Sequence, residues 1–353
     1  MGSTGTCSIC CVPRGIAKSL RWNTNGTITE TRDRSHRMVL ADVDGISQLF
    51  ANIEALVGIS IEKIVTESKA KATRKFTKRL IRGPKGTLLN LVGLDRAIDR
   101  MGETARIFGY GQFNIIEMDW KNNLVTWHLN DPYSLPLMCG DLRGATEAIR
   151  NVTGEVTCQK LAGGSYFVKA ELRPRPSGLE ERLTSAKVNL KSGDLVHQHC
   201  RQCGLPTALS DFIWDMDKGT INNAVTGLRF AFVGPDGLQV VFDELQAELG
   251  DTIPETIIEA QRMRTTEFAF DPWQLFGPED LQKSLGVLGF GNLVAVEDRD
   301  GAFYARVENP ALPYVIVGTA LGVAERRLGA AAEASWSITT DGDLELTVAP
   351  ASA

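Results

Sequence analysis

An ordered set of short motifs occurs twice along this chain of 353 residues. The sequence CSIC at Cys7 returns as CRQC at Cys200, an offset of 200 − 7 = 193, and Phe50 returns as Phe242, an offset of 242 − 50 = 192. Solenoid repeats have periods of roughly 20 to 50 residues. A period this long therefore indicates two copies of one whole domain.

The repeat also predicts the domain organisation. We predict a first domain over residues 1–172, a linker over 173–194 and a second domain over 195–353. The linker segment has the proline, glycine and charge content that is typical of a connection between domains. Two domains of about 175 residues fit the usual size range, so each copy is long enough to bury its own core.

The bulk composition is that of an ordinary globular protein, with 43% hydrophobic and 23% charged residues. A net charge of −5 provides no general attraction to nucleic acid. No apolar run approaches the roughly 18 residues that cross a membrane, and the first residues do not resemble a signal peptide. The seven cysteines are an odd number, which favours a reducing compartment. We therefore expect a cytoplasmic protein without a membrane segment or a nucleic-acid partner.

Hydrophobic periodicity predicts the same order of elements in each copy. An amphipathic helix ends at Gly58 in the first copy and at Gly250 in the second, and another helix follows over about 61–76 and 254–268. Two antiparallel hairpins then complete each copy. This order predicts an α+β fold, with helices packed on an antiparallel sheet in each half and the two halves forming a pseudo-twofold tandem. A short helix separates the two hairpins, over residues 142–150 and 319–328.

Each copy begins with a CxxC pair, and the second pair continues as CGLP, which has the form of a zinc knuckle. Two such turns supply four thiolates, the number that a closed tetrahedral zinc site uses. If a pseudo-twofold axis relates the copies, Cys7, Cys10, Cys200 and Cys203 meet on it. The sequence therefore predicts a metal site that these four residues share.

Several alternatives to this zinc site remain open. The first pair is less regular, because Cys11 occupies the position that Gly204 has in the second copy. Cys11 is then a spare thiol or an alternative ligand, while His197 and His199, which lie beside Cys200, could complete a local site without the N-terminal pair. Four cysteines also suit an iron–sulfur cluster, and they could equally be reduced thiols without a metal.

The stretch from Arg106 to about Glu171 resembles the 4-vinyl reductase family, also called hydrocarbon-binding domains. The resemblance depends on Gly109-Tyr110-Gly111 before a strand, on Asn130 at the end of the next strand and on the sequence CGDLRG from Cys139. The second copy resembles the family more faintly, and Val317 replaces the cysteine there. Direct resemblance covers about a third of the chain.

The resemblance implies a mixed helix and sheet domain with an apolar pocket between its layers. It implies a small hydrophobic or tetrapyrrole-like ligand, held by a sensor or carrier, and we choose Tyr110, Trp127 and His128 as candidate pocket residues. The alternative is that Trp127 and Tyr110 are plain core. Many family members bind zinc through cysteines of the last hairpin, and this chain has no cysteine in the first copy after Cys158.

A basic stretch of eight lysines and arginines without an acidic residue runs from Lys69 to Lys85 in the first copy only. It is interpreted either as a solvated helix face or as a docking surface for a partner.

No Walker loop, Rossmann fingerprint, HExxH or GxSxG motif is present, which favours binding over catalysis. Two other functions remain open: an iron–sulfur redox enzyme or accessory protein of anaerobic or cofactor metabolism, and an assembly or regulatory protein that docks a partner through residues 69–85. Assembly into a homo-oligomer is also left open.

Overall fold

The computed structural model describes residues 5–81, 94–174, 190–267, 281–299 and 301–351. Within these ranges every strand pair is antiparallel and nine α-helices are present, which confirms the prediction of an α+β fold with antiparallel sheets. The first half contains α1 (Arg14–Ser19), β1 (Leu20–Trp22), β2 (Ile28–Glu30), β3 (Arg37–Asp42), α2 (Val43–Val57), α3 (Glu62–Ile81), α4 (Leu94–Ile107), β4 (Gln112–Asp119), β5 (Leu124–Asn130), α5 (Leu135–Arg150), β6 (Val152–Lys160) and β7 (Tyr166–Pro174).

The second half repeats this order. It contains a 3₁₀ turn (Thr207–Asp211), β8 (Phe212–Asp215), β9 (Thr220–Asn223), β10 (Arg229–Val233), α6 (Pro235–Leu249), α7 (Ile253–Glu267), α8 (Leu281–Leu288), β11 (Asn292–Arg299), β12 (Ala302–Glu308), α9 (Pro313–Leu328), β13 (Ala332–Ile338) and β14 (Leu344–Pro350).

A six-stranded sheet at the centre takes three strands from each half, in the order β1-β2-β3-β10-β9-β8. At its middle, Leu40 of β3 pairs with Phe232 of β10, which is its own repeat counterpart at an offset of 232 − 40 = 192. On either side, Val39 pairs with Val233 and Ala41 pairs with Ala231. This exchanged pairing places a pseudo-twofold axis at the Leu40 and Phe232 pair.

Each half also carries a four-stranded sheet, β4-β5-β7-β6 in the first and β11-β12-β14-β13 in the second. Both hairpin turns before the last strand use glycines with positive φ, Gly163 and Gly164 at 83° and 84° and Gly342 at 85°. Glycine adopts this conformation without the penalty that a side chain brings. The antiparallel pairing of β6 with β7 and of β13 with β14 confirms the predicted final hairpins.

Helix pairs within each half approach closely because glycine lies at their contact. In α5, a Cβ atom at Gly144 would lie 2.4 Å from the carbonyl oxygen of Ala70 in α3. In α9, a Cβ atom at Gly322 would lie 2.8 Å from the carbonyl oxygen of Arg262 in α7. The repeated sequences GDLRG and GTALG thus form the close faces of two equivalent helix pairs.

The two halves interlock across the axis. The Trp22 indole nitrogen donates to the carbonyl oxygen of Val287 at 2.8 Å, and its counterpart Trp214 donates to that of Ile107 at 3.0 Å. Helix α2 also packs on α7 and α3 packs on α6. Each half therefore supports elements of the other.

The predicted linker lies mostly outside the described residues, and the predicted domain boundaries stay a prediction.

Some predicted elements have different bounds. Helix α5 begins at Leu135 rather than at 142, and α9 begins at Pro313 rather than at 319, because proline is well accommodated in a first helical turn. The prediction contains no counterpart of α4 or α8, the helix that precedes the first hairpin in each half. It also contains none of the six central strands. Strand β3 is buried at every position, so it shows none of the alternation that identifies a half-buried strand.

None of the described helices combines the length and the apolar character that crossing a membrane requires.

Candidate metal centre and ligand cavity

The two CxxC segments form the same tight turn. The backbone nitrogen of Cys7 donates to the carbonyl oxygen of Val12 at 2.9 Å, and that of Cys200 donates to Leu205 at 2.8 Å. The residue after each pair is left-handed, with φ of 58° at Cys11 and 73° at Gly204. Such turns aim both thiols of a pair to the same side.

The structure places the four thiols in one cluster. The Sγ atoms of Cys7 and Cys200 are 3.7 Å apart, those of Cys10 and Cys203 are 3.4 Å apart, and all four lie within 4.8 Å of one another. A tetrahedron with metal–sulfur distances of about 2.3 Å has sulfur–sulfur edges of about 3.8 Å. The cluster therefore has the size and donor set to bind a metal ion.

Backbone amides favour ionisation of one thiol in each turn. Hydrogen bonds from the amides of Cys203 and Gln202 lower the pKa of Cys200 to about 6, and those from Cys10 and Ile9 lower the pKa of Cys7. Burial instead raises the pKa of Cys10 and of Cys203. A bound cation would ionise these two as well, since a coordinating thiol loses its proton.

Gln202 connects the two turns and was not singled out from the sequence. Its Oε1 atom accepts hydrogen bonds from the backbone nitrogen of Ser8 at 3.0 Å and from the Ser8 hydroxyl at 2.8 Å. The Cys7 thiol lies 3.0 Å from the same oxygen. Gln202, which lies between the two cysteines of the second pair, thus fixes the first pair in place.

The alternative ligands have other positions or other contacts. Cys11 is exposed and is not one of the clustered thiols. The Nδ1 atom of His199 lies 2.8 Å from the Gly204 carbonyl oxygen, and His197 is buried against Gly286 of α8. Outside the centre, Cys139 is buried and Cys158 is exposed.

Replacing Cys11 by glycine is expected to raise the free energy of unfolding by roughly 0.5–1 kcal/mol. A left-handed residue with a side chain costs about 1–2 kcal/mol, and the larger conformational freedom of unfolded glycine offsets about 0.4–1 kcal/mol of that gain. Urea unfolding of the metal-loaded protein measures the change. The reciprocal variant Gly204→Ala should lose a similar amount, and a gain in Gly204→Ala would contradict this explanation.

The three predicted pocket residues do not converge on one space. Tyr110 is half-buried in the turn before β4, with its ring 4.6 Å from that of Tyr133. Trp127 is buried in β5, whereas the next residue, His128, faces the opposite side of the sheet with Nε2 3.0 Å from the Ser165 hydroxyl. Their role in ligand binding stays a prediction.

A small cavity lies between the central sheet and helices α2, α6, α7 and α9, and its volume is about 60 Å³. Its wall is mainly apolar, with Phe50 and Phe242 among the rings. The polar groups in the wall are Gln261, Thr319 and an ion pair between Asp42 and Arg264. No motif marked this site in the sequence, because the wall combines side chains from both repeats.

The basic stretch is only partly solvated. Lys69 is buried and lies 3.4 Å from Asp141, Arg74 forms a buried ion pair with Glu147, and Lys71 lies 3.1 Å from Glu244. Interpreting the whole stretch as a solvated face is therefore wrong, since a buried charge needs a partner of opposite sign. Arg82 and Lys85 lie outside the described residues, and partner docking through this stretch stays a prediction.

Comparison with known proteins does not assign this chain to a class. No family model matches the chain, and neither a curated protein nor a solved structure matches it significantly. The fold and the site therefore define it only as an α+β protein with a four-cysteine centre that is able to bind a metal. The resemblance to the 4-vinyl reductase family stays a prediction.

Proposed function

We propose that this protein is a zinc-stabilised tandem that binds a small hydrophobic ligand, as a sensor or carrier rather than an enzyme. The observation that carries the proposal is the meeting of four thiols from two turns that are 193 residues apart (200 − 7). Their ion would connect the N-terminal segments of both halves across the pseudo-twofold axis.

The spacing of the sulfur atoms favours one metal ion over an iron–sulfur cluster. In a cubane cluster each cysteine binds a different iron, so the sulfurs lie further apart than around a single ion. The 3.7 Å and 3.4 Å contacts instead fit one shared ion. A site with four thiolates is closed, and closed sites are typical of structural zinc. Because reduced thiols are needed, we place the protein in the cytoplasm.

The apolar cavity supports the ligand half of the proposal and limits the ligand's size. Pockets for drug-sized ligands have roughly 300–1,000 Å³, whereas this cavity has about 60 Å³. A small molecule is therefore favoured over a tetrapyrrole. Binding would also require the wall to widen.

Distant membership of the 4-vinyl reductase family is part of the proposal. A four-stranded antiparallel sheet with a packed helix pair in each half supports it, since the resemblance implies a domain of that kind. The metal site supports no such relation, because it lies at the start of each half rather than in a last hairpin.

Native mass spectrometry of anaerobically purified protein tests both parts of this function. We expect one zinc ion per chain and a co-purifying or added small hydrophobic molecule that binds without being altered. Brown protein with stoichiometric iron would overturn the zinc assignment. Turnover of the bound molecule would overturn the role of sensor or carrier.

A further inference from the structure

A polar pocket lies in the first half, between the turn after β1, strand β2 and the segment that leads into the second half. Its volume is about 210 Å³, against about 60 Å³ for the apolar cavity. Seven of its eight lining residues are polar, none is acidic and one, Arg34, is cationic. A lining with hydrogen-bond donors and a positive charge favours a small anion over an apolar molecule.

Two buried hydroxyl groups in the wall of this pocket are held in place by an asparagine. Thr27 is 0% exposed and Thr29 is 3% exposed. The Asn23 amide donates to both hydroxyl oxygens, at 3.1 Å and 3.0 Å, and the Thr27 hydroxyl donates to Asn25 Oδ1 at 2.7 Å. Within the described residues, no group accepts a hydrogen bond from the Thr29 hydroxyl. Its hydrogen is therefore available to a molecule in the pocket.

Arg34 brings a positive charge to the pocket that is not neutralised by a carboxylate. The two acidic residues nearest in sequence have other partners, since Asp33 accepts from the Ser35 hydroxyl at 2.6 Å and Glu30 lies 3.1 Å from His36. In the part of the chain that the structure describes, no residue forms an ion pair with Arg34. A guanidinium group binds the oxygens of an anion through two parallel hydrogen bonds. The charge of Arg34 is therefore available to a ligand.

The segment that leads into the second half is fixed against one side of the pocket. The Asn25 amide donates to the carbonyl oxygen of Lys191 at 2.7 Å, and the Lys191 backbone nitrogen donates to Asn309 Oδ1 at 2.8 Å. The Lys191 ammonium group pairs with Asp343 at 2.8 Å. The next residue, Ser192, lines the pocket, and its hydroxyl forms no hydrogen bond with any described residue. A bound molecule would thus contact both the first half and this segment.

The corresponding region of the second half has a different charge. Asn23 corresponds to Asp215, at an offset of 215 − 23 = 192. The Asp215 carboxylate accepts from the backbone nitrogen of Lys218 at 2.9 Å, so it belongs to its own turn. The loop before β10, residues 224–228, contains no lysine or arginine, whereas the loop before β3 contains Arg34. The cationic lining is therefore a property of the first half.

We propose that this pocket binds a phosphate group, either as the inorganic ion or as the end of a small phosphomonoester. The available donors are the Arg34 guanidinium and the hydroxyls of Thr29 and Ser192, which come from three separate segments of the chain. A tetrahedral group directs oxygens toward all three segments, whereas a flat carboxylate has only two oxygens. The pocket is separate from the metal centre and from the apolar cavity, so this inference goes beyond the proposed function.

Calorimetric titration of the purified full chain with inorganic phosphate, glycerol 3-phosphate and acetate tests the inference. We expect one phosphate group per chain and about tenfold weaker binding of acetate. Arg34→Gln should weaken phosphate about tenfold or more, the effect of losing a hydrogen bond to a charged group. Arg32→Gln is the matched control, because Arg32 is an exposed arginine two residues away that does not line the pocket, and it should bind phosphate as the wild type does.

Two further variants test the hydroxyl donors. Thr29→Val and Ser192→Ala should each weaken phosphate about fivefold, and Ser192 is exposed, so its variant keeps the test valid if Thr29→Val folds poorly. Tighter binding of glycerol 3-phosphate than of phosphate would identify a phosphomonoester as the ligand, and equal or weaker binding would identify the inorganic ion. A wild-type chain that binds neither, acetate that binds as tightly as phosphate, or equal losses in Arg34→Gln and Arg32→Gln would overturn the inference.

Discussion

Cys200→Ser is expected to lose its bound metal and several kcal/mol of its free energy of unfolding. Structural zinc sites bind their ion with about 10–16 kcal/mol, and that free energy is coupled to folding. Serine lacks the thiolate, so an ion in the cluster would lose one of its four ligands. Metal analysis and urea unfolding measure the two losses.

Cys11→Ser is the matched control, because Cys11 adjoins the same cluster but is exposed and lies outside it. It should retain one metal per chain and nearly wild-type stability. Cys7→Ser should behave as Cys200→Ser does, and the double variant should be little worse than either single variant, since both changes remove the same ion. Fully additive losses, or metal retained in Cys200→Ser, would contradict a shared site.

Gly144→Ala is expected to lower the free energy of unfolding by about 1–3 kcal/mol, the range for an overpacked core. The new Cβ atom would lie 2.4 Å from the Ala70 carbonyl oxygen and 3.0 Å from Thr73 Cβ, so α5 and α3 would have to separate. Gly144→Leu should prevent folding, because a longer side chain cannot be accommodated between the helices. Thermal unfolding monitored by circular dichroism measures both effects.

Gly102→Ala is the control for this prediction. Gly102 is also inside a helix, but a Cβ atom there would make only an ordinary contact of 4.0 Å with Phe113. Its replacement should be neutral or should stabilise α4 by up to about 1 kcal/mol, the difference in helix propensity. A similar loss in both variants would show that close packing at Gly144 is not the cause.

The duplicated sequence predicted much of the architecture, because motif and hydrophobic period are local properties. The helix that ends at Gly58, the final hairpins and the antiparallel α+β character could all be predicted. The proximity of Cys7 and Cys200 needed one further assumption, a twofold axis between the copies. That assumption was available only because the two copies can be aligned residue by residue.

The central sheet and the cavity could not be predicted from the sequence in the same way. Strand β3 is buried on both faces, and it pairs with β10 of the other half, so neither its pattern nor its neighbours identify it locally. The wall of the cavity combines side chains from both repeats, such as Phe50 and Phe242. Side chains from such distant segments form no motif, and their proximity appears only in the folded chain.

X-ray absorption at the metal edge of the purified protein shows whether one zinc ion on four cysteines joins the two halves. We expect one zinc per chain with four sulfur neighbours at about 2.3 Å and no second metal nearby. Iron in place of zinc, a metal–metal scattering shell, or nitrogen and oxygen neighbours in place of sulfur would contradict it.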